Sequence, residues 1–463
     1  MFNDKRMYNK IVVLDSVIFY PEHKARLNKI AEEVVEYNTC KTEKDVLERV
    51  KGADCIISCW VNIPNRVIDE NPQLKTIAFW THAYEHRIDK DYALKHDIFI
   101  PSIPDYGTDS VAELAFISLL QLYRKEFNLT PVSGINSLSG ENNETKTQRL
   151  LQEEIVAKVT NDVRKFDKNL RDNLKGVWVH EYVKTGKLKI TSPDEFKEET
   201  LKGLTMGLLV NDDLREGLFQ IAAHGFQMNC IYSLGDLPHA LNIAYRPIDN
   251  FLRESHIIIY DSRTVSEEIR NKVRHGNYLS IVDVADIVPI GQSLMQKRIG
   301  IVGLGRIGGR VAQIAKDGFN MDVSYFSKTR KPDLERKYNL QFKSLQEILK
   351  DSDIISFHLP HVGAERFITK EMIDIIPDYT TVVNVSVGGI FEDQAYFLKR
   401  FKENDLMGYI DVYETLPPRQ ELREHKDYLL STYRLGWRTK STIGLKTHKL
   451  ITRLEEGLCK LKR

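Results

Sequence analysis

One stretch, Lys297 to Lys331, leaves this chain few folds to choose from: KRIGIVGLGRIGGRVAQIAKDGFNMDVSYFSKTRK. Ile299 to Val302 is an apolar run short enough for a buried strand. It breaks into Gly303-Leu304-Gly305-Arg306-Ile307-Gly308, after which Val311, Ile314, Ala315 and Phe319 recur at helical spacing. Asp322 to Phe326 reads as a second strand. Strand, glycine turn, helix and strand come in the order a dinucleotide site needs. The first glycine makes the tight turn, the second admits a pyrophosphate to the backbone, and the third lets helix pack on strand. The helix N-terminus, with its free N–H groups and positive dipole end, then holds the anion. An isolated GxGxxG says little, but in this setting it predicts a dinucleotide bound over Gly303 to Gly308.

Which dinucleotide is read about 20 residues further on, where an acid ordinarily holds the ribose 2′-hydroxyl. Here the chain has Ser327, Lys328, Thr329, Arg330 and Lys331. With no carboxylate in that run and three cations, NADP(H) is the expected cofactor and NAD(H) the alternative.

The rest of the composition narrows the class. The 463 residues suffice for two or three domains, and the formal net charge of +1 gives no reason to expect a nucleic-acid or membrane surface. The start, MFNDKRMYNK, lacks a signal-type apolar region. Cys40, Cys55, Cys59, Cys230 and Cys459 form no CxxC pair, and no metal-ligand spacing stands out. Reduced core thiols at Cys55 and Cys59 and a cytoplasmic location are expected.

Taken in order, Lys10 to Phe19 reads as a strand and Pro21 to Tyr37 as an amphipathic helix. Asp54 to Cys59, Leu74 to Trp80 and His96 to Ile100 read as further strands. The alternation argues for a parallel α/β sheet. A helix follows from Ser110, with Asp109 as its N-cap and Glu113 favourably placed near its start.

IPDYGTDSVAELAF, then VGLGRIG, SFHLP, VVNVSVGGI and YIDVYETLPP, taken together, resemble the D-2-hydroxyacid dehydrogenase family. The similarity runs from Lys10 to about Tyr123 and from about Gln296 to the C-terminus. It implies a flavodoxin-like substrate domain and a Rossmann nucleotide domain, with Thr442 to Lys460 as a helix returning to the first domain. It also implies a substrate cleft between domains, homodimers built from paired nucleotide domains, and a small anionic carbonyl or hydroxyl substrate. His358, Leu359 and Pro360 would lie beside the cofactor, and Asp411 near its nicotinamide amide.

Between the matching segments lies extra material. Asn128 to Gln148 reads as a linker and Leu150 to Leu174 as an amphipathic packing or assembly helix. TMGLLVNDDLREGLFQIAAHGFQMNCIYS, from Thr205, then matches RIGIVGLGRIGGRVAQIAKDGFNMDVSYF, from Arg298, without a gap. Gly207, Gln220, Ile221, Ala222, Gly225, Phe226, Met228 and Tyr232 correspond to Gly300, Gln313, Ile314, Ala315, Gly318, Phe319, Met321 and Tyr325. This reads as an internal duplication. The expected organisation is a flavodoxin-like domain at 1–125 completed by 441–463, and an insertion at 126–200. A degenerate Rossmann-like repeat at 201–292 and the nucleotide-binding Rossmann domain at 293–440 follow. The repeat should bind no dinucleotide, because Val210, Asp212 and Arg215 replace Gly303, Gly305 and Gly308. One explanation is that it imitates a dimer partner's domain.

The resemblance implies an Arg, a Glu and a His at the reacting centre, and none is retained. Val387 stands at the Arg position, Leu416 at the Glu position and Arg434 at the His position. Arg434 cannot relay a proton as imidazole does, though it can clamp an anion. Tyr433, Tyr413, Glu414 and His82 are the remaining candidate proton donors. Two readings stay open: an NADP(H)-dependent oxidoreductase with a rebuilt active site, or a catalytically silent NADP(H)-binding scaffold or sensor. A homodimer or a partner protein would be its macromolecular company.

Overall fold

The computed structural model describes residues 6–37, 40, 42–81, 84–103, 105–123, 143–164, 199–233, 243–287, 293–360, 363–403, 405–415, 429–431 and 435–461. They fall into two compact units, one within 1–107 and 437–463, the other within 108–436.

The first unit is a four-stranded parallel sheet in the order β2-β1-β3-β4. Its strands are β1 (Tyr8–Val13), β2 (Ala31–Glu36), β3 (Cys55–Ser58) and β4 (Thr76–Phe79). Helices α1 (Pro21–Ile30), α2 (Glu43–Arg49), α3 (Arg66–Asp69) and α4 (Lys90–Lys95) connect or follow them. β3 is buried along its whole length, as a central parallel strand requires, and so is β4 at the sheet edge, where Phe99 bridges to Thr76. The C-terminal helix, Lys440–Leu461, packs Ile443, Leu450, Ile451 and Leu454 into the same core as Tyr8, Ile11 and Val13. Two expectations are corrected here. The helix expected to reach Tyr37 stops at Ile30, and Ala31–Glu36 joins the sheet edge. The strand expected at His96 to Ile100 contributes one bridge, Thr76 to Phe99.

The second unit opens with two long helices, α5 (Thr108–Tyr123) and α6 (Asn143–Arg164). α6 thus begins inside the expected linker, and positions 165–174 of the expected helix lie outside the described residues. Next comes a five-stranded parallel sheet, β7-β6-β5-β8-β9. It is built from β5 (Thr205–Leu209), β6 (Asn229–Tyr232), β7 (Ala244–Tyr245), β8 (Ile257–Tyr260) and β9 (Ser280–Asp283). Helix α7 (Asp212–Phe219) follows β5, and α8 (Ile248–Glu254) and α9 (Glu267–Arg274) flank β8.

A seven-stranded parallel sheet, β12-β11-β10-β13-β14-β15-β16, completes the unit. Its first strands in chain order are β10 (Arg298–Val302), β11 (Asp322–Phe326), the two-residue edge strand β12 (Gln341–Phe342) and β13 (Ile354–Phe357). β14 (Thr381–Asn384), β15 (Met407–Ile410) and β16 (Leu429–Ser431) extend it, and α10 (Arg306–Gln313) follows β10.

The two sheets share local geometry in detail. Gly203 and Gln296 both hold positive φ, as do Gln227 and Asn320. Gly203 donates to the Gln227 carbonyl at 3.1 Å and Gln296 to that of Asn320 at 3.3 Å. A Cβ on Gly207 would lie 2.3 Å from the Ser255 hydroxyl, and one on Gly300 2.3 Å from that of Ser352. Each first helix widens into a π segment, Gln220–Gly225 and Ile314–Gly318. Asp109, expected to cap α5, instead pairs with Arg310 at 2.8 Å and Lys202 at 2.9 Å. Two cations facing one carboxylate outweigh a cap bond. Glu113 accepts the amides of Leu201 and Lys202, at 2.8 and 3.0 Å.

Candidate dinucleotide site

The apolar strand β10 delivers the chain to Gly303, which turns with φ +102°, a conformation L side chains rarely adopt. A Cβ there would lie 2.6 Å from the His358 carbonyl oxygen. On Gly308 it would lie 2.1 Å from the Gly303 carbonyl oxygen, so this glycine seats helix on strand. Gly305 is different: nothing lies within 4 Å of its hypothetical Cβ, so this part of the turn faces open space. Gly305 is also the N-cap of α10 and supplies no side chain, leaving the first-turn N–H groups without a side-chain cap. Leu304 is buried in the core, Ile307 packs against it, and Arg306 is exposed at the helix start.

These residues fit a dinucleotide. The turn is held tightly where it touches protein and left open where a pyrophosphate would approach.

His358, at the end of β13, donates its amide to the Val302 carbonyl at 2.8 Å, and its Nε2 lies 2.8 Å from the Ser356 hydroxyl. Burial pushes its imidazole down to about 3, so the ring is neutral beside the turn. Its Nδ1 has no hydrogen-bond partner among the described residues. Leu359 is half-buried and Pro360 exposed just beyond it.

The ribose-side residues follow β11. The Ser327 hydroxyl donates to the Thr329 carbonyl at 2.6 Å, and Lys328 is exposed. Arg330 is not the loose cation the sequence implied. Its Nε and Nη2 donate to both oxygens of Glu335, at 2.9 to 3.1 Å. The Tyr325 hydroxyl donates to the same carboxylate at 2.5 Å. The acid sits eight positions after Ser327 in the chain, beyond the run where one was sought.

Asp411 is buried, and its two oxygens accept the amides of Leu435 at 2.7 Å and Gly436 at 3.2 Å. Those bonds brace the strand-end segment. Val387, half-buried after β14, leads into Gly388, whose Cβ would meet the Glu414 amide. Glu414 is exposed and Tyr413 buried. His82, Leu416, Tyr433 and Arg434 lie outside the described residues. Among the described residues no group of His, Cys, Asp and Glu could hold a metal ion, and no helix is long and apolar enough to cross a membrane.

In the five-stranded sheet the corresponding turn is closed. Asn211 caps α7 through its side chain, which accepts the Leu214 amide at 3.2 Å. Arg215, at the place of Gly308, is 1% exposed. It donates to the Val210 carbonyl at 2.9 Å, pairs with Asp212 at 3.1 Å and lies 4.9 Å from the centre of the Tyr232 ring. The sequence pointed to negative charge at this turn. The structure shows Arg215 neutralising Asp212 and filling the space.

Sequence reasoning missed a second feature, in the first unit. Lys446 is buried with its ammonium 3.6, 4.6 and 4.3 Å from the ring centres of Trp80, Tyr106 and Trp437. Burial pushes the amine down to about 8, while Cys59 and Asp15 favour its charge. The only signal for it was aromatic composition spread along the chain from Trp80 to Trp437.

Comparison with known proteins matches the pattern of the site. The catalytic domain model of the D-isomer specific 2-hydroxyacid dehydrogenases matches residues 11–286, more than half of the chain, and their NAD binding domain model matches 258–433. A glyoxylate reductase of Pyrococcus horikoshii is 34% identical over 149 residues, 32% of this chain and 44% of that protein. One of Thermococcus litoralis is 32% identical over 175 residues, 37% of this chain and 48% of that protein. The chain thus spans under half the length of these curated relatives. Among solved structures, an acyclic imino acid reductase in complex with NADPH and D-Arg superposes with TM-score 0.55 at 16% identity, covering 97% of each chain. D-lactate dehydrogenase from Aquifex aeolicus, complexed with NAD and lactic acid, gives 0.53 at 17%, covering 98% of this chain and 97% of that one. Identities this low speak for the fold alone. The family models decide the membership: this chain belongs to the D-isomer specific 2-hydroxyacid dehydrogenase family.

Proposed function

We propose that this chain is an oxidoreductase that binds NADP(H) in preference to NAD(H) and reduces a small anionic 2-oxo acid with a rebuilt reacting centre. The observation that carries the reading is the glycine turn, closed against protein at Gly303 and Gly308 and open at Gly305. Relatives named as glyoxylate reductases support the substrate class. When bound, the nicotinamide supplies hydride to the carbonyl carbon. The chain must then hold the carboxylate and give a proton to the carbonyl oxygen. Arg434, at the position of the family's His, takes the carboxylate in a bidentate grip. Tyr433, Glu414, Tyr413 and His82 are the candidates for the proton.

Lys328 and Ser327 support the NADP(H) preference, and Arg330 keeps its charge at the loop while braced by Glu335. The unbridged Cys55 and Cys59 support a reducing, cytoplasmic setting. The segment 201–292 is read as a duplicated and degenerate front half of the nucleotide domain.

The test is a fluorescence titration with NADPH and with NADH, followed by NADPH oxidation in the presence of glyoxylate. Tighter NADPH binding with turnover is expected, and Arg434→Ala should raise KM for glyoxylate while leaving NADPH affinity unchanged. Failure to bind either nucleotide would refute the reading. Binding without turnover of any 2-oxo acid would favour the second one, a silent NADP(H) sensor, for which Val387, Leu416 and Arg434 at the catalytic positions speak.

A further inference from the structure

We propose that α6 and the five-stranded sheet, within residues 143–164 and 199–286, occupy inside one chain the place of a second subunit, so that the nucleotide fold carries its own dimer partner. This does not rest on the proposed activity.

An isologous interface has a signature: residue i of one half meets j of the other, and j meets i. The contact between the two sheets' helices has that signature. A Cβ on Gly225 would lie 2.9 Å from the Cα of Gly318 and 4.0 Å from the Ile314 carbonyl oxygen. A Cβ on Gly318 would lie 2.9 Å from the Cα of Gly225 and 3.7 Å from the Ile221 carbonyl oxygen. Ile221, Gly225 and Phe226 correspond in sequence to Ile314, Gly318 and Phe319. Phe226 and Phe319 themselves meet edge to face at 6.2 Å. Equivalent residues thus contact one another across the join.

The two long helices obey the same exchange. α5 packs on α10 of the nucleotide fold, and α6 packs on α7 of the repeat. The partners are then swapped for the two carboxylates. Glu113 of α5 accepts the amide of Leu201, at the start of the repeat, at 2.8 Å. Glu153 of α6 accepts the amide of Leu294, at the start of the nucleotide fold, at 3.2 Å. Leu201 and Leu294 keep the spacing of Gly225 and Gly318. With Glu113 laid on Glu153, the buried Ile155, Val156, Ala157, Val159 and Val163 of α6 fall on the buried Ala115, Phe116, Ile117, Leu119 and Tyr123 of α5. Arg164-Lys165 falls on Arg124-Lys125 in sequence. So α6 is to the repeat what α5 is to the nucleotide fold, a correspondence too weak to find by sequence alone.

The pseudo-partner has kept the interface and closed its own ligand turn with Arg215. Phe116, Phe226, Phe319 and Ile155 lie in one continuous core, which leaves the face no room for a second copy.

The test uses the full chain, half of it isotope-labelled, mixed and coupled with a zero-length carbodiimide. Asp109 and Lys202, 2.9 Å apart, are among the pairs it should join. Light scattering at 53.5 kDa, with same-label links between 143–286 and the rest of the second unit, is the expected result. A larger particle that keeps same-label links there pairs through another face and supports the proposal equally. Mixed-label links between 143–286 and α5 or 293–436 overturn it.

Discussion

The turn at Val210 to Arg215 and the turn at Gly303 to Gly308 stand at the same place in two matching folds, and only one is open. The folds agree at two pairs of packing glycines: Gly207 and Gly300 each lie against a serine hydroxyl, and Gly225 and Gly318 lie against each other. They disagree at Gly303, Gly305 and Gly308, where the repeat carries Val210, Asp212 and Arg215. The repeat keeps its strand, helix and sheet order without those glycines. A strand-to-helix connection at this place therefore folds without a glycine trio, although the turn with φ +102° at Gly303 does need its own glycine. What the trio adds is room and free N–H groups at a helix start, which serve a ligand. The five-stranded sheet has this fold with its turn filled by Arg215, and the contrast with the open turn at Gly305 supports reading the latter as a ligand site.

The largest break in the comparison should come from Gly308→Val. Its Cβ would lie against the Gly303 carbonyl, so helix and strand must part and the N–H groups lose their aim. NADPH affinity should fall at least about a hundredfold, roughly 3 kcal/mol. A titration of the folded variant checks it, and unaltered affinity would remove the turn from the site. The reciprocal change, Arg215→Ala, strips a buried guanidinium from the closed turn and leaves the Val210 carbonyl without that donor beside a cavity, while the exposed Asp212 keeps its solvent. Urea unfolding should show a loss of about 3 kcal/mol, with NADPH binding by the intact turn unchanged. A variant as stable as the parent would mean that water replaces the guanidinium without loss.

The fold was legible where periodicity and turn chemistry speak locally. β10, its glycine turn and β11 fall where the sequence placed them, and so do β3 and β4. What the sequence hid was set by tertiary partners. Ala31 to Glu36 continues a helical pattern, and only pairing with β1 draws it into a strand. Asp109 reads as a cap until Arg310, 201 positions away, arrives beside it. Arg330 reads as a free cation because Glu335 lies one helical turn beyond the window in which an acid was sought. Lys446 gave no sign at all, since its three rings come from three distant segments.

One of the two helix carboxylates, Glu113, extends the comparison to pH. Burial pushes Glu113 up to about 7, with Arg164 and the amides of Leu201 and Lys202 pulling the other way. The folded chain thus holds this proton more tightly than the unfolded chain, where the group titrates near its ordinary 4.5. Its contribution is complete below that value, is lost as pH rises towards 7 and is flat above. The loss is on the order of 3 kcal/mol. Urea midpoints between pH 5 and 7.5 should fall in the parent and fall less in Glu113→Gln. An equal slope in both would assign the titration to another group.

The smallest effect expected concerns the choice between the two nucleotides. Glu335 already draws Arg330 towards itself with three hydrogen bonds, so this guanidinium offers a 2′-phosphate less than its charge suggests. On the proposed NADP(H) reading, the exposed Lys328 would then carry most of the preference. Lys328→Glu replaces attraction by repulsion at a solvent-screened position, a change of about 1 kcal/mol. That amounts to roughly a fivefold loss of NADPH over NADH in paired titrations. Glu335→Gln should move the ratio the other way by a smaller factor, because it loosens Arg330 towards the phosphate while keeping the side chain's size. Opposite signs from Lys328 on the loop and Glu335 on the helix that follows it, Pro332–Tyr338, are what a 2′-phosphate subsite requires. Identical shifts for both nucleotides in both variants would leave Ser327 to Lys331 as an ordinary solvated loop, and the intact turn indifferent to which dinucleotide it holds.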